Sequence, residues 1–164
     1  MNHVRHILQV KGNYVWTISP DETVYEALRI MATKGVGALV VTKEDKMVGI
    51  ISERDYARKV ILQGRTSRDT LVKDIMTADV ISVHPDQTVE ECMELMTENR
   101  IRHLPVIEND RLVGMISIGD VVKNIIYRQR QVISEMEEKV RGSAPEDVFP
   151  PVPRFPGVGK PQRL

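Results

Sequence analysis

A single cysteine, Cys92, in 164 residues excludes an intramolecular disulfide framework and a cysteine-rich metal site. It lies in an apolar helical pattern and reads as a buried thiol. Aromatic residues make up only 4% of the chain, too few to build a stacking platform for single-stranded nucleic acid, and no basic stripe accompanies them. Charge of one sign is lacking as well: 23 basic residues balance 23 acidic ones, so no global field draws in nucleic acid or an anionic membrane. Any anion site must therefore be local. There is no long apolar run, and the first ten residues carry His3, Arg5 and His6 where a secretory leader would be apolar, so the expected location is the cytoplasm. His3 and His6 share a possible helix face but His84 lies elsewhere, which gives no metal-ligand spacing.

The 41% of hydrophobic residues is enough for one ordinary domain or two small, intimately packed ones. A short helix is expected over residues 4–10, then a turn at Lys11, Gly12 and Asn13 into a strand over 14–18. Thr23 and Glu26 have the spacing of a capping box at the start of a helix that puts Val24, Ala27, Leu28 and Met31 on one face. Lys34 and Gly35 close it. A mostly apolar strand over 36–42, a charged turn, a strand over 47–51 and a helix from Ser52 to about Leu62 follow. Residues 63–71 are polar and form a linker between two halves.

The halves are copies. Pro20 and Pro85, Thr23 and Thr88, Glu26 and Glu91, Met31 and Met96, Asp45 and Asp110, Gly49 and Gly114, Ser52 and Ser117, and Asp55 and Asp120 are each 65 positions apart. Upstream, Val4, Ile7 and Leu8 match Val72, Ile75 and Met76 at a spacing of 68, so the first copy has three extra residues around Lys11 to Asn13. A unit of roughly 60 residues has only a marginal core of its own. Two such units are expected to pack their sheets together with pseudo-twofold symmetry, leaving two equivalent clefts.

The division that follows is repeat 1 over residues 1–62, the linker 63–71, repeat 2 over 72–127, a helical extension over 128–141 and a Pro/Gly-rich tail over 142–164. The extension carries Val132, Ile133, Met136 and Val140 in near-heptad continuation of Val121, Val122, Ile125 and Ile126, a self-association stripe or a face folded back on its own domain. The tail is too rich in proline for regular structure and offers Val148, Phe149, Val152 and Phe155 as apolar contacts.

Chemistry concentrates at the end of each unit. Ser52 with Asp55, and Ser117 with Asp120, open a helix after an apolar strand. The spacing is a cap in its own right, and the same groups can also serve a ligand: a helix start favours an anion and a carboxylate accepts both hydroxyls of a ribose. Arg102 brings a fixed fork of donors suited to phosphate and His103 a group that titrates near neutrality. The first copy has Gly37 and Ala38 at the aligned positions, with Arg54 and Arg58 nearby, so the two clefts are expected to differ chemically.

From about Val4 to Ile126 the chain resembles a tandem pair of CBS domains, the module named for cystathionine beta-synthase. The resemblance is carried by Ile75, Met76 and Thr77, by Pro85 to Val89, by His103, Leu104, Pro105 and Val106, and by the doubled strand-to-helix motif ending at Asp55 and Asp120. It implies a mixed α/β fold in which two repeats, each a small sheet with two helices, pair into a disc that often dimerises. It also implies adenosine-containing ligands between the repeats. By position, Asp120 would hold ribose hydroxyls, and Ser117, Arg102 and His103 would meet phosphate. Thr77, Val80, Ile81 and Val83 would border adenine, with Pro85 and Ile116 as apolar walls and Leu104 and Pro105 in the same site. Ser52 and Asp55 would serve the first cleft, with Arg54 as substitute for the missing Arg and His.

The expected function is that of a regulatory module, not an enzyme, which senses an adenine nucleotide and signals through a homodimer to a separate protein. AMP is the favoured ligand; ADP, ATP, NAD and S-adenosylmethionine share the adenosine part. The alternatives are a ligand-free dimerisation scaffold and a hydrolase. Ser117, His103 and Asp120 supply the residue types of a triad, but nothing resembles a nucleophile elbow.

Overall fold

The computed structural model describes residues 2–142, so the proline-rich tail with Val148, Phe149, Val152 and Phe155 lies outside the described residues. The order of elements is α1 (Val4–Lys11), β1 (Thr17–Ile18), α2 (Val24–Lys34), β2 (Ala38–Lys43), β3 (Lys46–Ser52), α3 (Glu53–Lys59), α4 (Val89–Glu98), β4 (His103–Glu108), β5 (Arg111–Ser117) and α5 (Ile118–Arg141). Short 3-10 turns occupy Ile61–Gln63 and Val72–Asp74. The first strand is shorter than expected, two residues in place of five, and the helix after Ser52 stops at Lys59, where Val60 turns inward as a fully buried residue.

In the first copy β1 pairs in parallel with β2, which pairs antiparallel with β3; in the second, β4 and β5 form the same hairpin and the equivalent of β1 is reduced to a parallel bridge between Val83 and Val106. Both hairpins turn through two residues with positive φ, Glu44 and Asp45 in one, Asn109 and Asp110 in the other. Consecutive left-handed residues match the twist of a tight hairpin, and Asn and Asp tolerate that conformation better than other side chains. Both hairpins also carry a bulge at the same place, between Val41 and Thr42 and between Val106 and Ile107.

Helix starts follow the capping signals in part. Thr88 accepts from the Glu91 amide and Glu91 accepts from the Thr88 amide at 2.7 Å, a complete capping box. At Thr23 only half of the box forms, because the Glu26 carboxylate turns to Arg29 at 2.6 and 2.8 Å while Thr23 still accepts from the Glu26 amide.

The segment leading each copy packs on the other copy. The Val4 and Arg5 amides donate to the carbonyls of Gln87 and Pro85, each at 2.9 Å. Symmetrically, the Val72 and Lys73 amides donate to Glu22 and Pro20. Val4, Ile7 and Leu8 thus join the core of Val83, Val89, Cys92, Met96, Leu104, Val106, Ile116 and Val121. Val72 and Ile75 join that of Ile18, Val24, Ala27, Met31, Leu39, Val41, Ile51 and Val60. Neither hydrophobic core is complete without the other half's leading segment, the physical answer to the marginal size of each unit. A third cluster of Ala38, Val40 and Met115 seals the two sheets together.

Glycine permits the exchanged contacts. A Cβ on Gly49 would stand 2.7 Å from Met76 Sδ, and one on Gly114 would stand 2.6 Å from Leu8 Cδ2. The pairs Gly49 with Met76 and Gly114 with Leu8 are pseudo-symmetric, so the glycine spacing noted in the sequence marks the two points where a leading segment crosses a hairpin.

Residues 128–141 complete α5, and along them Val132, Ile133 and Met136 are exposed. Among the described residues no helix is long and apolar enough to cross a membrane.

Candidate functional site

A cavity of about 390 Å³, within the size range of small-ligand sites, opens between the two copies. It is lined by Gly37, Ile50 and Ser52, by Arg54, Asp55 and Arg58 from α3, by Thr77, Asp79, Val80 and Ile81, and by Arg100, Arg102 and His103. The exchange of leading segments explains this membership. Thr77 ends the segment that crosses the first hairpin and is locked there by two backbone bonds with Ile50, at 2.9 and 3.0 Å. Val80 and Ile81, three and four residues on, line the same cavity as Ser52 and Asp55.

The structure therefore divides the expected set differently. Thr77, Val80 and Ile81 accompany Ser52 and Asp55, not Ser117 and Asp120, and so do Arg102 and His103. The deficit of donors foreseen at Gly37 and Ala38 does not leave this cavity without donors, because Gly37 stands opposite His103, whose Cε1 is 3.5 Å from the Cβ position. Arg102 precedes β4, so it is free of the strand alternation that would send it and His103 to opposite faces. Leu104 and Ile116 are fully buried core residues, Val83 is 2% exposed, and Pro105 and Pro85 are buried, their carbonyls accepting from the Val83 and Arg5 amides. These five shape the second copy's interior and do not line the cavity.

Ser52 and Asp55 form a closed set. Asp55 Oδ2 accepts from the Ser52 amide at 2.9 Å and from Ser52 Oγ at 3.0 Å, while Ser52 Oγ accepts from the Asp55 amide at 3.3 Å. Lys59, one turn along α3, lies 2.9 Å from the other oxygen, Oδ1. The capping role is thus real, and it also fixes the carboxylate in one rotamer where it lines the cavity. Arg54 is tethered across the copies by donating from Nη1 to the Arg100 carbonyl at 2.9 Å. Arg100 adopts a left-handed backbone, φ 53°, unusual for a residue with a long side chain.

The equivalent pair in the second copy is built alike. Asp120 Oδ2 accepts from the Ser117 amide at 2.8 Å and from Ser117 Oγ at 2.9 Å. The Ser117 hydroxyl is therefore committed to a carboxylate, where a hydrolase triad would commit it to an imidazole. Sequence reasoning missed the third member, Lys11, expected in a turn but found closing α1. Its Nζ reaches Asp120 Oδ2 at 2.6 Å. Burial pushes the Asp120 carboxyl up, but Lys11 and the Ser117 bonds outweigh it and hold the group below the usual aspartate value. Among the described residues no cluster of His, Cys, Asp and Glu could hold a metal ion.

His103 sits between the two clefts and is held below its ordinary value of 6.5, first by burial, then by Lys11, Arg102 and Arg54, against an opposing pull from Asp120. The unfolded chain thus binds this proton more readily than the folded one. The contribution is fully present above pH 6.5 and is lost as pH falls below that value toward the lower folded one. Urea midpoints measured from about pH 8 to about pH 5.5 should fall more steeply for the native chain than for His103→Gln.

An internally duplicated pair of sheet-and-helix units with a charged, ligand-sized cleft between them defines a paired-repeat module. The CBS domain family model matches residues 4–61 and 72–127, and the chain belongs to the CBS-domain family. It is similar to the mitochondrial CBS domain-containing protein CBSX3 of Arabidopsis thaliana, 45% identical over 136 residues, which cover 80% of this chain and 66% of that one. The chain thus spans just under two thirds of this relative's length. Among solved structures, a CBS-domain protein of Burkholderia ambifaria is 50% identical with TM-score 0.76, covering 78% of this chain and 96% of that one. The CBS domain pair of MJ0100, in complex with 5'-methylthioadenosine and S-adenosyl-L-methionine, is 26% identical with TM-score 0.70, covering 78% of this chain and 98% of that one.

Proposed function

We propose that this chain is a cytoplasmic nucleotide-sensing module that takes an adenine nucleotide into the cavity at Asp55 and signals its occupancy, through the arrangement of a homodimer, to a separate protein. The observation that carries the proposal is the convergence of one fixed carboxylate with Arg54, Arg58, Arg102 and His103 in a single cavity of ligand size. Asp55 is the ribose acceptor, because its carboxylate is fixed on the cavity wall and keeps accepting capacity beyond the bonds to Ser52 and Lys59. Val80, Ile81 and Ile50 provide apolar contact for the base, and the arginines present planar donors to phosphate.

The number of cations moves the preference along the series of ligands. AMP suits a cleft with few basic groups; a cavity with this many favours ADP and ATP, and gives NAD or S-adenosylmethionine less to recognise. The adenosyl ligands of the MJ0100 pair support the class of ligand for this chain. For assembly, Val132, Ile133 and Met136 on the last turns of α5 offer an apolar surface to a second copy. A ligand can shift the dimer only by binding one arrangement better than the other.

Calorimetric titration with adenosine, AMP, ADP and ATP tests the reading. Affinity should rise with each phosphate and fall with added salt. Equal affinity for adenosine and ATP would remove the phosphate role, and no binding at millimolar nucleotide would leave a dimerisation scaffold.

A further inference from the structure

The pair of Ser52 with Asp55 and the pair of Ser117 with Asp120 are pseudo-symmetric, but what approaches them differs. In the first cleft the carbonyl of Ile50 accepts from the Thr77 backbone amide at 2.9 Å. Its counterpart in the second copy is Met115, 65 positions on, and the carbonyl there accepts from Lys11 Nζ at 2.9 Å. The three extra residues of the first copy lie at this point, where α1 runs to Lys11 before the chain turns at Gly12. An ammonium at the end of a four-carbon stem replaces a backbone amide, and the same ammonium reaches on to Asp120 Oδ2 at 2.6 Å.

Asp55 also meets a lysine, but from a different direction. Lys59 comes from Asp55's own helix, takes the Oδ1 oxygen and is anchored on the Ile75 carbonyl at 2.9 Å, and it is not among the residues lining the cavity. Lys11 comes from the other copy's leading segment, on the route that Thr77 and its successors follow past Asp55. It takes Oδ2, the oxygen already carrying both Ser117 bonds.

We infer that Lys11 is the resident internal ligand of the second cleft and the residue that makes nucleotide binding one-sided: its ammonium holds the Asp120 carboxylate that a ribose would need, leaving the Asp55 cavity as the nucleotide site. This rests on the reading of Asp55 as a ribose acceptor. The cation nearest Asp120 is spent on that carboxylate, while the Asp55 cavity keeps Arg54, Arg58 and Arg102 on its lining.

The test counts bound ATP per chain by calorimetry and follows the Ser117 and Gly119 amides by NMR. Three proteins are compared: the native chain, Lys11→Met, which keeps the apolar stem and removes the charge, and Lys11→Met with Asp120→Asn. The expected result is one ATP per native chain, two per Lys11→Met chain with movement of the Ser117 and Gly119 amides, and a return to one in the double variant. Two ATP per native chain, or one in both native and Lys11→Met chains, overturns the inference while leaving the Asp55 site standing. No ATP on the native chain with one on Lys11→Met, lost in the double variant, overturns the Asp55 reading and supports Lys11. No binding to either overturns both. The Asp120 carboxyl resonance gives a second readout: it should titrate higher in Lys11→Met than in the native chain, and an unchanged titration contradicts the contact.

Discussion

Asp55→Ala should weaken ATP binding about 100-fold, the equivalent of about 2.7 kcal/mol, by removing a charged acceptor for two hydroxyls. The same change removes half of a capping box and a partner of Lys59, so a stability loss of about 1 kcal/mol is expected beside it. Asp55→Asn separates the two effects. An amide keeps an oxygen at the cap and the shape of the side chain but turns a donor NH2 toward the ribose in place of a charged acceptor. It should therefore recover most of the stability and little of the affinity. Denaturant midpoints and calorimetric affinities on the same preparations make the comparison, and recovery of both together would assign Asp55 to capping alone.

The second large effect is on the fold. Leu104→Ala should destabilise the chain by about 2–5 kcal/mol, because it empties a site with no exposure at the centre of the second copy's core, among Val83, Val106 and Ile116. Val10→Ala, at a side chain 91% exposed, should change stability by less than about 0.5 kcal/mol. The resemblance places Leu104 beside the ligand, yet it is fully buried on β4 where His103 meets Gly37. Under conditions where Leu104→Ala is folded, its affinity for ATP should match that of the native chain. Urea unfolding and titration together check both statements.

The duplication, the helix starts and the two strand-to-helix junctions were legible in the sequence because they depend on local patterns: apolar periodicity, Thr and Ser caps and a constant spacing of 65. The exchange of leading segments was not, because no periodicity records which copy a short helix docks against. Its trace was present in the crowded glycines, Gly49 against Met76 and Gly114 against Leu8, but a glycine in a strand also reads as a bulge or a weak point. From that one omission came the misplacement of Thr77, Val80 and Ile81. Once the segments are exchanged, the same symmetry that identified the repeats places these residues over Asp55.

Lys11 was missed for a related reason. Three extra residues next to Gly12 suggest a looser turn, whereas α1 continues to Lys11 and delivers its ammonium to a carboxylate 109 positions away. The arithmetic that located the insertion gave no sign of its chemistry. A long-range ion pair leaves no mark in local spacing, and only the comparison of Ile50 with Met115 shows what the lysine replaces.

Entry of an adenine nucleotide into the Asp55 cavity is tested by amide NMR of the native chain titrated with ATP. Saturable shifts are expected at Ser52, Arg54, Asp55, Thr77, Val80, Ile81, Arg102 and His103, with their loss in Asp55→Ala. Shifts centred on Ser117 and Asp120, or none at saturating nucleotide, would contradict it.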